Sequence, residues 1–327
     1  MAERLAGGYA CIVARGVALI RLHSKSLVCL VAVALACGCA GIERRVVPVV
    51  QETGYQQAFD FQPVSLRNTY LTVATLNVAH GRRDGIHQLF QGTRRHLRNL
   101  DAISMVLSRE RPHVAALQEA DGPSVWSGGF SHVAYLAESG GFGYYVRGEH
   151  DYFPALSHGT AIISRLRLRD PLAVTFRRTT VAMPKGFVVA TVAWPGRPDL
   201  LVDVVSVHLD FLNVRVRERQ ITELMQVIES RARPLVLMGD FNSVWNGRRK
   251  LLRRLVEEFG LSTHEPESQS LATHALFDRR LDWIFVSSEL DFRSYETLTD
   301  VVSDHRAVKA RISVRPVPRS RVTALSL

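Results

Sequence analysis

Eight short runs of Val, Ile and Leu dominate residues 71–314: "LTVATL" (71–76), "HVAALQ" (113–118), "TAIIS" (160–164), "FVVATVAW" (187–194), "LLVDVVSVHL" (200–209), "PLVLMGD" (234–240), "LDWIFVS" (281–287) and "AVKARISV" (307–314). Runs of this length and composition, bounded by polar or turn residues, predict buried strands. Between them lie helical patterns. Ile221, Leu224, Met225 and Ile228 follow the i, i+3, i+4, i+7 spacing, as do Leu100, Ile103 and Leu107, and Leu251, Leu252, Leu255, Val256 and Phe259. Strands interspersed with helices predict an α/β sandwich with a sheet core and helices outside. No internal repeat and no second domain is visible. Residues 121–158, rich in Gly, Ser and aromatics, read as long loops over one face.

The N-terminal region has a different logic. Residues 21–42, "RLHSKSLVCLVAVALACGCAGI", place basic residues before an apolar run from Leu27 to Ala36, then small residues and cysteines. That is the order of a secretory leader, and the run is shorter than the ~20 residues of a spanning helix. "ALAC" and "ACGC" resemble a bacterial lipobox, so Cys37 or Cys39 is expected to be lipidated. Plain cleavage and an uncleaved anchor are the other readings. The expected organisation is a leader over 1–39, a tether over 40–69 with no sustained period, a domain over 70–315 and a tail over 316–327. All four cysteines fall within the first 39 residues, which excludes disulfides, cysteine-zinc sites and a cysteine nucleophile from the rest. The first 39 residues carry +3 of the net +10 charge, leaving +7, nearly all arginine, on the remainder. Such a surface favours polyanions.

Polar residues fall at the strand boundaries. Asn77 closes the first strand, Gln118 and Glu119 the second; His208 ends "VDVVSVH", and Asp240 and Asn242 end "LVLMGDFN". Asp282 opens "LDWIF", and Ser303, Asp304 and His305 precede the last strand. Each alone is a turn former or a solvated residue. Together, so many carboxylates, carboxamides and imidazoles at strand ends are hard to assign to turns. An Asp in a core strand must be paired, exposed or metal-bound, because a buried unpaired carboxylate costs several kcal/mol.

In order and spacing, "TLNV", "LQE", "GTAIIS", "VHLD", "GDFN", "LDWIF" and "SDH" resemble the endonuclease/exonuclease/phosphatase superfamily. The resemblance implies a four-layer α/β sandwich of two packed sheets and metal-assisted phosphoester hydrolysis without a covalent intermediate. It implies Mg²⁺ (or Mn²⁺) on Glu119, with Asn77 and Asp304 completing or flanking the metal site. It makes Asp240 the group that orients or deprotonates water, with Asn242 and His208 on phosphate oxygens and Asp282–His305 an oriented imidazole pair. The oxygen donors suit a hard cation. Gln118, Gly159, Thr160 and Ser164 read as scaffold, and Arg217 and Gln220 as a solvated helix face. His80, Arg82 and Arg83 follow the first strand closely enough to touch an anionic substrate.

The departures narrow the branch. "VHLDF" lacks the tyrosine of abasic-site endonucleases, and "FDRRLDWIF" lacks the cysteine of inositol-polyphosphate 5-phosphatases. The expected substrate is a phosphodiester, from nucleic acid or a phospholipid headgroup. A membrane-tethered lipid phosphodiesterase with aromatic loops (Trp126, Phe130, Phe142, Tyr144, Tyr145) stands beside the nuclease reading. A catalytically dead, membrane-displayed binding protein is the reading from another class, and the intact polar set argues against it.

Overall fold

A computed structural model describes residues 41–52, 70–83, 92–150, 156–179, 183–275 and 277–316. The leader with Cys37 and Cys39 and the far C-terminal tail lie outside the described residues. Two mixed sheets form the core. One runs β1 (Glu43–Val46), β7 (Arg169–Thr175), β8 (Gly186–Trp194), β9 (Arg197–His208), β10 (Leu235–Asp240), β11 (Asp282–Val286). The other runs β12 (Leu290–Thr297), β13 (Val308–Val314), β3 (Leu71–Asn77), β4 (Val114–Gln118), β6 (Gly159–Ser164), β5 (Tyr144–Glu149), β2 (Val50–Gln51). Among the described residues, four α-helices accompany them: α1 (Thr93–Glu110), α2 (His132–Ser139), α3 (Val214–Glu229) and α4 (Leu251–Glu257).

The period of two along each strand builds the layers. Val73, Val114, Ala116 and Ile162 face Val188, Ala190, Val204, Val236 and Ile284 between the sheets. Their neighbours point outward. Val205, Val207, Leu235 and Leu237 pack with Ile221, Leu224 and Ile228 of α3 and Leu252 and Leu255 of α4. Leu76, Ala115, Leu117 and Ile163 pack with Leu100, Ile103 and Leu107 of α1 and Val133 and Leu136 of α2. The result is the expected α/β/β/α sandwich. Each fully buried Leu or Ile contributes roughly 1.5–3 kcal/mol.

Two expectations change. Residues 43–51, read as tether, form β1 paired with β7 and β2 paired with β5, one strand on each sheet. The stretch read as loops over 121–158 contains α2 and β5. No helix among the described residues is long and apolar enough to cross a membrane.

β3 and β4 are parallel, joined through α1; β9 and β10 are parallel, joined through α3. Both pairs therefore end at the same edge, where open α/β sheets bind their ligands. The register then lines up the polar ends. Asn77 pairs with Gln118 and Gln118 with Thr160 in one sheet; Gly186 pairs with His208, His208 with Asp240, and Asp240 with Asp282 in the other.

Candidate active site

The two rows face each other across a polar seam. Gln118 Nε2 donates to Ser206 Oγ (3.0 Å), Ser206 Oγ to the Leu117 carbonyl (2.9 Å), and Asn77 Nδ2 to Asp240 Oδ2 (3.0 Å). These bonds lock sheet to sheet just beneath the site. Gln118 is thus the scaffold expected of it. Gly159 is architectural as well, since a Cβ there would lie 1.9 Å from the Gly148 carbonyl oxygen. Gly239, at φ +148°, brings β10 so close to β9 that a Cβ would meet the Val207 oxygen at 1.9 Å. That closeness seats the "GDFN" turn.

Asp240 is buried, and its Oδ1 accepts from the Asn242 backbone N–H at 2.8 Å. Burial pushes its carboxyl up to about 7, with Asp282 adding to the shift and His305, Asn242 and Asn77 opposing it. His305 Nδ1 lies 2.7 Å from Asp282 Oδ2, and its Nε2 lies 4.0 Å from Asp240 Oδ2. Burial works against charge on His305, but Asp282 and Asp240 outweigh it and raise the imidazolium to about 10. Asp282 is fully buried, and its Oδ1 has no hydrogen-bond partner among the described residues.

Glu119 forms the opposite wall. Its Oε2 is 3.2 Å from His80 Nε2, and its Oε1 is 3.9 Å from Lys185 Nζ and 4.0 Å from His208 Nε2. Burial resists ionisation, yet His80, Lys185 and His208 hold its carboxyl well below the usual range. His80 Nδ1 is in turn 2.8 Å from Asp121 Oδ1. Burial opposes charge on His80, but Asp121 and Glu119 raise its pKa above the ordinary value. The site thus holds two buried His–Asp pairs, each turning Nε2 toward a further carboxylate. His80, Glu119 and Asn242 all adopt φ near +50° (53°, 51° and 48°), a conformation non-glycine residues take only where surroundings enforce it.

His208 bridges the walls, with Nε2 3.5 Å from Asp240 Oδ2. Lys185 Nζ lies 3.2 Å from His208 Nδ1 and 3.3 Å from Nε2. Burial, then Lys185, keeps His208 far below its ordinary pKa, so the ring is neutral. Burial also lowers the Lys185 pKa, against the pull of Glu119, Asp240 and Asp210.

The remaining expected residues sit at the margin. Asp304 Oδ2 is ion-paired with Arg82 Nη2 at 2.5 Å, and its Oδ1 accepts from Ser303 Oγ at 3.2 Å. Arg82, expected on substrate, thus has its charge matched by Asp304. Asn242 Nδ2 donates to the Leu209 carbonyl (3.0 Å), so its carboxamide ties down the turn. Arg217 and Gln220 are not a solvated face. Gln220 is buried and accepts from the Asp210 N–H (2.8 Å), while Arg217 Nη1 donates to the Asp210 carbonyl (2.9 Å). Sequence reasoning does not find Lys185 and Asp121. Both lie outside the eight runs, in "MPKGF" and "EADGP".

Asp240, Asp282 and His305 each place a ligand atom within 4.8 Å of the others, close enough to hold a metal ion. With the orphan Oδ1 of Asp282 and the depressed carboxyl of Glu119 nearby, this oxygen-rich donor set fits a hard divalent cation. A proton on His305 and a cation on its nitrogen are alternatives for the same space.

Comparison with known proteins agrees. The family model described as "Endonuclease/Exonuclease/phosphatase family" matches residues 74–305. An endonuclease/exonuclease/phosphatase structure from Beutenbergia cavernae superposes with TM-score 0.64 at 20% identity, covering 77% of this chain and 74% of that one. The human Nocturnin catalytic domain gives TM-score 0.59 at 17% identity, covering 82% and 97%. A mannosyl-6-phosphatase from Bacteroides thetaiotaomicron gives 0.57 at 15%, covering 74% and 99%. Comparison with curated protein sequences finds no match. The two-sheet sandwich, the buried Asp/His cluster at its edge and the family match over most of the chain lead to one assignment: the chain belongs to the endonuclease/exonuclease/phosphatase family of phosphoester hydrolases.

Proposed function

We propose that the chain is a divalent-metal-dependent phosphodiesterase, with nucleic-acid-type phosphodiesters favoured as substrate. The observation that carries this reading is the pairing of a poised carboxylate, Asp240, with an imidazolium, His305, on the floor of a metal-compatible site. Glu119, with Asn77 and Asp304 beside it, would hold Mg²⁺ or Mn²⁺, leaving Asp240 and His305 to the proton transfers. Such a cation polarises the phosphoryl oxygen and stabilises charge on the departing one. Asp240 orients water and accepts its proton as the new P–O bond forms. His305, fixed by Asp282, supplies the proton that the leaving oxygen takes as the old P–O bond breaks. Lys185 and the neutral His208 face the developing charge on phosphorus-bound oxygens.

The test is hydrolysis of DNA, RNA, sphingomyelin and bis(p-nitrophenyl) phosphate by the purified protein with Mg²⁺ or Mn²⁺. Activity should vanish in chelator and fall steeply in Glu119→Gln. Full turnover in excess chelator would overturn the metal requirement. Lipid phosphodiester cleavage is the second reading, favoured by the exposed side chains of Phe211, Leu212 and Phe277. For localisation we infer export with lipidation at Cys37 or Cys39, on the leader pattern alone. Mass spectrometry of the mature N-terminus should find an acylated cysteine, and a free N-terminus beyond residue 39 would refute lipidation.

A further inference from the structure

Beside the catalytic edge, the loop before α3, the "GDFN" turn and the segment leading into β11 enclose a cavity of about 340 Å³. It touches the site directly, because Asn242 lines it and Asn242 N–H holds Asp240. Arg217, Arg248 and Arg279 line it, with Leu212 and Leu251 among its apolar walls. No acidic residue is among the lining residues. The side chains of Arg248 and Arg279 have neither an ion pair nor a hydrogen bond among the described residues, unlike most arginines that border other charged groups here. Two exposed guanidiniums without partners at the lining of a half-apolar hollow can clamp a phosphate.

The surroundings say what carries the phosphate. Phe277, 65% exposed, packs against His274 with ring centroids 4.7 Å apart and planes tilted by 37°, and His274 sits 5.1 Å from the His305 ring. An aromatic path thus leads from the catalytic imidazole outward along the segment that carries Arg279. Bases stack on such platforms while arginines track the backbone. A zwitterionic choline headgroup brings a quaternary ammonium beside its phosphate, and no acidic residue among the lining residues would receive it. We propose that this cavity binds the phosphate of a nucleotide flanking the scissile linkage, making single-stranded oligonucleotide the substrate class. The inference rests on the phosphodiesterase reading of the adjoining site.

The experiment measures binding without catalysis: fluorescence anisotropy of a labelled oligothymidylate with the purified protein in chelator. The Arg248→Gln/Arg279→Gln pair should weaken binding about tenfold and flatten the log–log salt dependence by about 0.7, the share of the one phosphate the cavity holds on a single strand. The Arg169→Gln/Arg197→Gln pair removes equal charge from exposed positions at the opposite end of the sheet, and should leave both nearly unchanged. Replacing the flanking linkages by uncharged methylphosphonates should abolish the difference between wild type and the Arg248/Arg279 variant. Equal losses in both pairs, or a difference that survives methylphosphonate, would overturn the subsite. Arginine-dependent binding to phosphoinositide vesicles without binding to the oligonucleotide would overturn the substrate class. Hydrolysis of bis(p-nitrophenyl) phosphate with Mn²⁺, which has no flanking phosphate, tests the chemistry separately. Arginine-dependent anisotropy supports the subsite whatever that assay returns.

Discussion

Asp203 and Asp240 are both buried in the same sheet, on neighbouring strands, at opposite ends. Asp203 is saturated: Arg231 Nε and Thr191 Oγ1 each donate to it at 2.6 Å, and Arg233 Nη1 lies at 3.5 Å. Asp240 has amide donors from Asn77 and Asn242 but, among the described residues, no lysine or arginine within ion-pair distance, only imidazoles at 3.5 and 4.0 Å. One carboxylate closes a fold. The other is held in readiness, at a cost to stability that the fold carries for function.

The sharpest way to break this comparison is to make one substitution at both ends. Asp240→Asn keeps the shape and one of the two amide bonds, since a carboxamide has a single acceptor oxygen, and removes the proton acceptor. It should cost about 10²–10⁴ in kcat, as His305→Ala should, while the melting temperature holds or rises. Because both groups serve one transition state, the double variant should be little worse than the poorer single. Small, strictly multiplicative losses would show two independent groups. Asp203→Asn should do the reverse. It strands Arg231, whose side chain is 14% exposed, and should destabilise by about 3 kcal/mol. Turnover per folded molecule should stay at the wild-type level, and a fall in kcat would dissolve the distinction between the two ends.

Next in size is Lys185→Met, which keeps the stem and removes the cation beside His208 and Glu119. A loss of about 10² in kcat is expected, the scale of one lost electrostatic donor. His208 should become easier to protonate in the same variant, since Lys185 is one cause of its lowered pKa. An NMR titration of the His208 ring that does not move would place the ammonium elsewhere.

What could be read in the sequence follows from the same physics. All eight apolar runs are strands, because central strands bury both faces and advertise it. The strands that escape a sequence reading are at or near the edges. β1 is exposed at every position, β12 buries only Leu290 and Tyr295, and β7 carries Pro171. β5 alternates, but its Gly- and Tyr-rich context hides the period. The catalytic residues at strand ends are legible because a polar group closing an apolar run is conspicuous. Lys185 and Asp121 are not, since a lone Lys before a strand or an Asp before Gly is ordinarily solvated. His80 stands out in the sequence, but its partners do not: it bonds Asp121 and faces Glu119. That environment arises where parallel β3 and β4 end side by side, which brings the segment after one strand against the segment after the other.

The smallest effect expected is a pH dependence of stability in chelator, and it tests the tension at Asp240 directly. The folded chain keeps a proton on Asp240 to about 7, whereas the ordinary value is 3.8. Between those values the folded state binds more protons than the unfolded one, so stability must fall as pH rises. His305 acts in the same direction at higher pH. Raised from 6.5 to about 10, its contribution is complete below 6.5 and is lost as pH climbs toward 10. Burial holds His113, His132, His150, His158 and His208 below 6.5, and these act in the opposite direction between pH 5 and 6.5, so the test is the difference in melting temperature between the metal-free wild type and Asp240→Asn. Asp240→Asn removes the lower part of the downward slope and weakens the upper, because Asp240 is one of the charges that raise His305. The variant's advantage over the wild type should grow as pH rises from 5 to 7 and be largest at the alkaline end of that range. An unchanged slope would mean that Asp240 is ionised throughout, as well satisfied as Asp203, and the contrast between the two ends of the sheet would be lost.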